Sequence, residues 1–344
     1  MNGLERVLAA VQGTKPDQPA VSMTLSLYGS RLTNCPLKEY YTRPECYAAG
    51  QQAVKEVFDA DVLFTPFTLA SIGEAFGSEI VYFESSPPNV AVPGCTSASQ
   101  AAEMAMDPII QKRGIQYILE STSQMAARHG QNTAIGGVFL SPVDLPPLLM
   151  GIEGWLNTLL FEEKKAHLIL ESMTHFFVKT ANALFDAGIH LLVLPLAFCN
   201  PRIVTSGMVD RMMMPVLQEA FTAVKGPIVL HHVGLPINPF LDSLTQLPNV
   251  VGFALDPTDS LEKARVIVGE SPVLLGNIDG PSLYRHTPEE IHAACSRLFK
   301  KRSEDTHFML GTSGADIPLQ TPLENIQALK NAAADWGREM KMSE

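Results

Sequence analysis

A chain of 344 residues, 46% of them apolar and 18% charged, is a folded protein large enough for one big α/β domain and too apolar for disorder. A formal charge of −11, with no run of Lys or Arg, excludes nucleic acid as a main partner. The five cysteines (Cys35, Cys46, Cys95, Cys199, Cys295) are scattered, odd in number and never in C-x-x-C spacing, which points to a reducing compartment and no disulfide framework. No apolar stretch reaches the ~18 residues of a membrane span. The opening MNGLERVLAAVQG mixes acidic and basic residues and lacks the apolar core of a signal peptide. A cytoplasmic protein without membrane contact is the expectation.

Eight short apolar runs recur in chain order: AVSMTL (20–25), ADVLFTPF (60–67), TAIGGVF (133–139), LLVLPLA (191–197), PIVLHHV (227–233), VVGFAL (250–255), PVLLGNI (272–278) and HFMLGTS (307–313). Helical periodicity fills the gaps, as in YAAGQQAVKEVF, the long WLNTLLFEEKKAHLILESMTHFFVKTANALFDAG and SLEKARVIVG. Alternating strand and helix implies a parallel sheet with right-handed crossovers, and eight units fit an α/β fold of the (β/α)8 TIM-barrel type, one domain over 1–344. A doubly wound open sheet is the rival, but no Gly-rich dinucleotide turn follows the first strand. After the second strand, SEIVYFESSPPNVAVPG predicts an inserted hairpin or Ω-like excursion, punctuated by Pro87-Pro88 and Pro93-Gly94. The Pro/Gly-rich stretch 141–155 is a candidate second flap.

Function in such a barrel is expected at the C-terminal strand ends. These carry Thr24 with Tyr28, Thr65, Phe139, Cys199 with Asn200, His231, Asp256, Asn277 with Asp279, and Ser313 with Asp316. The fifth run delivers two histidines and a glycine to that mouth. If the pleat holds, His231 and His232 point to opposite faces, so His231 faces the site and His232 packs behind the sheet. Asp259 reads as a cap or turn residue. Asp256, which directly ends a strand, is a functional candidate. So are Asn277 and Asp279, because Gly276 and Gly280 let a ligand approach the backbone. Met212, Met213 and Met214 suggest an adaptable partner surface, although consecutive helical positions put at least one in the core.

Longer motifs add to this reading. LLGNIDGPSLYRHTPEEI followed by FMLGTSGADIPLQTPLENIQAL resembles the C-terminal signature of the uroporphyrinogen decarboxylase superfamily, whose fold is a (β/α) barrel and which includes the cobamide-dependent methyltransferases. ERVLAAVQGTKPDQPAV resembles its opening helix and first strand, and SGMVDRMMMPVLQEA its "SPxMYxxFxLP" helix; IPxxTPxEN (317–325) is the most specific part. The departures are informative. The decarboxylases carry an Arg-rich RQAGR-type motif after the first strand, where MTLSLYGSRLTNCPL offers only Arg31. One guanidinium cannot pair the several carboxylates of a porphyrinogen. The resemblance also implies, for members that methylate a thiol such as coenzyme M, a zinc held by His-x-Cys and a later Cys. Here His231 is kept, but Val233 and Ala315 stand at the cysteine positions, and Cys199 and Asp256 are the substitutes a zinc would have to recruit.

A thiol needs metal to become a nucleophile at neutral pH, whereas N5 of tetrahydrofolate already carries a free lone pair. The resemblance therefore implies a metal-independent methyltransferase between a methylated corrinoid (methylcobalamin or a corrinoid protein) and tetrahydrofolate. Its catalytic residues would be His231, Asn200 and Asp256. Asp256, Asn277, Asp279, Tyr28, Ser313 and Asp316 would bind substrate, with a carboxylate meeting the pterin's aminopyrimidine edge. The alternatives are a zinc-dependent corrinoid:thiol methyltransferase and a non-catalytic member that binds a corrinoid protein.

Overall fold

The structure is a computed structural model that describes residues 1–342. Ten strands form in chain order: β1 (Val21–Ser22), β2 (Val62–Phe64), β3 (Glu79–Val81), β4 (Asn89–Val92), β5 (Ala134–Val138), β6 (Leu191–Pro195), β7 (Ile228–His231), β8 (Val250–Ala254), β9 (Val273–Ile278) and β10 (Phe308–Thr312). Eight of them make one parallel sheet in the order β1-β10-β9-β8-β7-β6-β5-β2, which curls into a nearly closed (β/α)8 barrel. Each coincides with one of the eight apolar runs. β3 and β4 pair antiparallel in a separate two-stranded sheet, with Ile80 opposite Val90.

The strands sort their side chains by parity into two apolar layers. The outer layer packs the sheet against the helices and holds the largest buried side chains, among them Trp155, Phe176, Phe177 and Phe221. The inner layer is smaller and built from short residues, including Val62, Ala134, Val193, Val229, Val273 and Met309. Its lower end is closed by the first helix (Gly3–Gln12) through Val7 and Ala10. That helix starts at an Asn2/Glu5 capping box and stops at Gly13 in the left-handed region.

A buried carboxylate ties this end together. Asp61 accepts from Arg6 Nη1 at 3.1 Å, from Lys330 Nζ at 2.8 Å and from the Val21 amide at 3.0 Å. It thereby links the first helix, β1, the entry to β2 and the C-terminal helix (Leu323–Met342).

Three sequence expectations need correction. The long helical stretch is two helices, Ile152–Phe161 and Glu163–Asp186, broken at Glu162 (φ −131°, ψ 50°). The first packs on the short helix Pro146–Met150 and the second on Ala98–Glu103 and Met214–Thr222, so their axes serve different neighbours. Stretch 141–155 is no flap: Leu145, Leu149 and Trp155 are fully buried, and Asp144 accepts from the Ala197 and Phe198 amides at 2.9 Å. Met212 and Met213 are buried and Met214 is half-buried, so they pack inward. Among the described residues, no helix is long and apolar enough to cross a membrane.

Candidate active site

The small inner layer leaves a cavity of about 340 Å³ along the barrel axis, from Leu4 and Val7 at the first helix up to the C-terminal mouth. Most of its wall is apolar. Polar groups enter it from two sides. On one side are Ser22, Thr24, Ser26 and Thr312, the Thr24 amide donating to Thr312 Oγ1 at 3.0 Å. Across the barrel, His231 and His232 both line it.

The two imidazoles stack, with centroids 4.4 Å apart and planes 26° apart. The pleat argument fails because β7 ends at His231, so His232 lies beyond the last residue bound by strand alternation. The chain then turns sharply through Val233 at φ +46° and Gly234 at φ +79°. A β-branched residue in the left-handed region is strained by about 1–3 kcal/mol. That turn folds two amides back onto the rings: Val233 N–H donates to His231 Nδ1 at 3.1 Å, and Gly234 N–H to His232 Nδ1 at 2.9 Å. With Nδ1 accepting, neutral His231 carries its proton on Nε2 and offers a donor to the cavity. Burial, reinforced by neighbouring His232, pushes the His231 imidazole down to about 3, so it stays neutral at physiological pH.

His232 has a second partner. Its Nδ1 lies 3.2 Å from Asp256 Oδ2, and its Nε2 is buried with no hydrogen-bond partner. One nitrogen cannot serve both neighbours in one state. As an acceptor it takes the Gly234 amide; carrying a proton it donates to Asp256 and leaves Nε2 with a free lone pair. Burial lowers the His232 pKa, opposed by the negative charges of Asp256 and Asp259. Asp256 is itself fixed, because Oδ1 accepts from the Thr258 amide at 2.9 Å and from Thr258 Oγ1 at 2.5 Å. Oδ1 is therefore engaged twice over, while Oδ2 faces the His232 ring.

The other sequence candidates occupy different roles around the mouth. Asn277 turns its amide to the carbonyls of Asp256 and Asp259 at 2.9 and 3.0 Å, bracing β9 against the loop after β8. Asp259 binds the amides of Ile237 and Asn238, a loop tie that fits its reading as a turn residue. Asp279 is exposed at the end of β9. Ser313 is buried beside it, its amide donating to Ile278 O at 2.7 Å, and Gly280 must be glycine because a Cβ there would lie 2.5 Å from Ser313 O. Asp316 accepts from the Leu27 amide at 2.6 Å through Oδ1, while Oδ2 is buried and unpartnered. Burial pushes the Asp316 carboxyl up to about 8, against the pull of the Leu27 amide, so at neutral pH it holds a proton and can donate it.

Tyr28 is fully buried, with its hydroxyl given to Thr321 O at 2.6 Å and Arg31 over its ring. Arg31 donates to Thr321 O at 2.7 Å and also to Leu319 O, so the one arginine after β1 is spent on the chain's own loop. Asn200 is buried off the cavity, with Oδ1 accepting from the Arg202 amide at 3.0 Å and Nδ2 unpartnered. Cys199 is fully buried and likewise does not line the cavity. Of the catalytic and substrate-binding candidates named from the sequence, only His231 lies on the cavity wall. Sequence reasoning missed His232. The available signal was the histidine doublet at the end of one strand and an aspartate ending the next, since parallel neighbours bring their ends to the same height.

Val233 and Ala315 also line the cavity, Val233 next to His231 after β7 and Ala315 after β10. Neither has a lone pair to offer, and His231 Nδ1 is already taken by an amide. The donors around the cavity do not make up a zinc centre, which takes three or four protein ligands.

Comparison with known proteins places this barrel. Residues 2–336 match the family model described as "Uroporphyrinogen decarboxylase (URO-D)". Over 337 residues the chain is 24% identical to a "Methylcobamide:CoM methyltransferase MtaA" of Methanosarcina barkeri, covering 96% of this chain and 97% of that protein. A second protein of that description, from Methanosarcina barkeri strain Fusaro, is 23% identical over 336 residues, with the same coverage. Among solved structures, a methyltransferase from Methanosarcina mazei superposes with a TM-score of 0.86 at 22% identity, covering 98% of this chain and 99% of that one. A B12-independent methionine synthase from Shewanella sp. W3-18-1 gives 0.58 at 15% identity, covering 96% of each chain. Both structural likenesses speak to the fold. The family match runs along nearly the whole sequence, and the chain belongs to the uroporphyrinogen decarboxylase family.

Proposed function

We propose that the protein is a corrinoid-dependent methyltransferase that moves a methyl group between a methylated corrinoid and N5 of tetrahydrofolate, without a metal in the barrel. The corrinoid part of this reading is supported by the two relatives whose names specify a methylcobamide substrate. The observation that carries the acceptor is the cavity lining at His231, Val233 and Ala315. It retains one nitrogen donor and lacks both thiolates, and so suits an acceptor that needs no Lewis acid.

The methylated corrinoid, when bound, supplies an electrophilic methyl group and takes the electron pair of the broken cobalt–carbon bond. The chain's residues do the rest. The apolar wall excludes water and holds the acceptor nitrogen in line. His231 donates from Nε2 to orient the acceptor. N5 gains the methyl and must shed its proton, and His232 Nε2 takes it when Asp256 holds the proton on Nδ1. Asp256 thus acts through His232 as a positioning residue. Asp279 and the unpartnered Oδ2 of Asp316, at the ends of neighbouring β9 and β10, are the groups left to meet the pterin.

Incubation with methylcobalamin and tetrahydrofolate, followed by cobalamin absorbance and product analysis, tests the proposal. Absence of methyltetrahydrofolate, with or without added zinc, overturns it. A second reading, transfer to a thiol, is favoured by the coenzyme M in the relatives' names. Substituting coenzyme M in the same assay, with metal analysis of the protein, separates the two.

A further inference from the structure

Away from the cavity, three side chains suited to a soft metal converge on the mouth side of β1. The helix Tyr28–Leu32 ends in a Schellman motif: Asn34 takes φ +51°, its amide bonds Arg31 O at 3.3 Å, and the Cys35 amide bonds Ser30 O at 2.9 Å. That fixes the backbone of Cys35. Glu39 follows on the short helix Leu37–Tyr40, and Cys46 sits in the first turn of Pro44–Phe58. The two Sγ atoms and a Glu39 carboxylate oxygen lie within 4.8 Å of one another. Both cysteines are half-buried and Glu39 is exposed, so an ion can reach them.

From this convergence we propose that Cys35, Glu39 and Cys46 form a binding site for a thiophilic divalent cation, Zn²⁺ foremost, with water as fourth ligand. Zinc–sulfur bonds of about 2.3 Å and a zinc–oxygen bond of about 2.0–2.2 Å put tetrahedral ligands roughly 3.5–3.8 Å apart, so closure needs a shift of no more than about 1 Å. Charge also fits. Two thiolates and a carboxylate around Zn²⁺ leave one negative charge at an exposed edge, where Arg43, held by Glu45 at 2.8 Å, also faces Glu39 at 3.5 Å. Without metal, burial and the adjacent Cys46 hold the Cys35 thiol up at about 11. The ion displaces those protons and clips the loop after β1 to the helix that packs on it. This site is independent of the barrel cavity and of the methyl acceptor.

The test is titration of the reduced, chelator-stripped full chain with Co²⁺. One equivalent is expected to give a thiolate-to-cobalt charge-transfer band that Zn²⁺ abolishes. Cys35→Ser with Cys46→Ser removes the band, Glu39→Gln weakens binding at least about tenfold, and His231→Ala leaves it intact. X-ray absorption on the zinc-loaded wild-type chain, which needs no variant to fold, should show two sulfur neighbours. No uptake by the reduced protein, a band that survives loss of both thiols, or a zinc shell without sulfur each overturns the proposal.

Discussion

His232 and Asp256 meet across the ends of two neighbouring barrel strands, with Nδ1 3.2 Å from Oδ2. β7 and β8 are parallel partners, His231 opposite Ala254, so His232, one residue past β7, and Asp256, two past β8, emerge at nearly the same height. The histidine lines the cavity and the carboxylate stands behind it, clamped by Thr258.

Replacing that carboxylate tests its role. Asp256→Asn is expected to lower kcat on the order of 10²-fold while leaving KM for the acceptor nearly unchanged. A negative charge beside His232 raises its proton affinity, so removing it moves the acidic limb of the kcat–pH profile to lower pH. A loss confined to KM, with no shift of that limb, contradicts positioning through His232.

Restoring the missing thiolates should create a metal centre in the cavity. In a chain already carrying Cys35→Ser and Cys46→Ser, Val233→Cys with Ala315→Cys is expected to bind about one zinc through His231 and the two new thiolates. Metal analysis after desalting reads the outcome.

Asp316 makes stability depend on pH. Its native pKa of about 8 stands above an unfolded value of about 3.9, so the unfolded chain releases the proton first. The penalty is absent below pH ~4, grows as pH rises toward 8 and is complete above it. Asp316→Asn removes the ionisation and should stabilise the protein at pH 9 on the order of 1–3 kcal/mol, with little gain at pH 4. Urea unfolding at the two values measures the difference.

Loss of the Asp61 carboxylate strands the buried Lys330 ammonium. Asp61→Ala should cost about 3–5 kcal/mol, seen as a lower urea midpoint at unchanged m. Lys330 then lies buried without its carboxylate, while Arg6 keeps its pair with Asp17.

The barrel was legible because each strand is a short run of apolar, often β-branched residues, a signal that survives in a single sequence. The site was legible only as a ring of strand ends. Asp256 reads as open but is closed by Thr258, two residues on. Tyr28 reads as a mouth residue, but its hydroxyl reaches a carbonyl 293 positions away. The His232–Asp256 pair depends on where β7 stops, and the approach of Cys35 to Cys46 depends on how two helices pack. Periodicity carries neither kind of information.

The division of apolar side chains into a large outer layer and a small inner one separates what keeps this protein folded from what it can do. Most of the heavy aromatic anchors lie outside the sheet, while valines, alanines and glycines make up much of the cavity wall, with Phe64 and Phe67 the phenylalanines in it. Exchanges such as cysteine for Val233 or Ala315 alter the chemistry of that wall at little thermodynamic risk. A lineage built this way can change its methyl acceptor while its scaffold stands still.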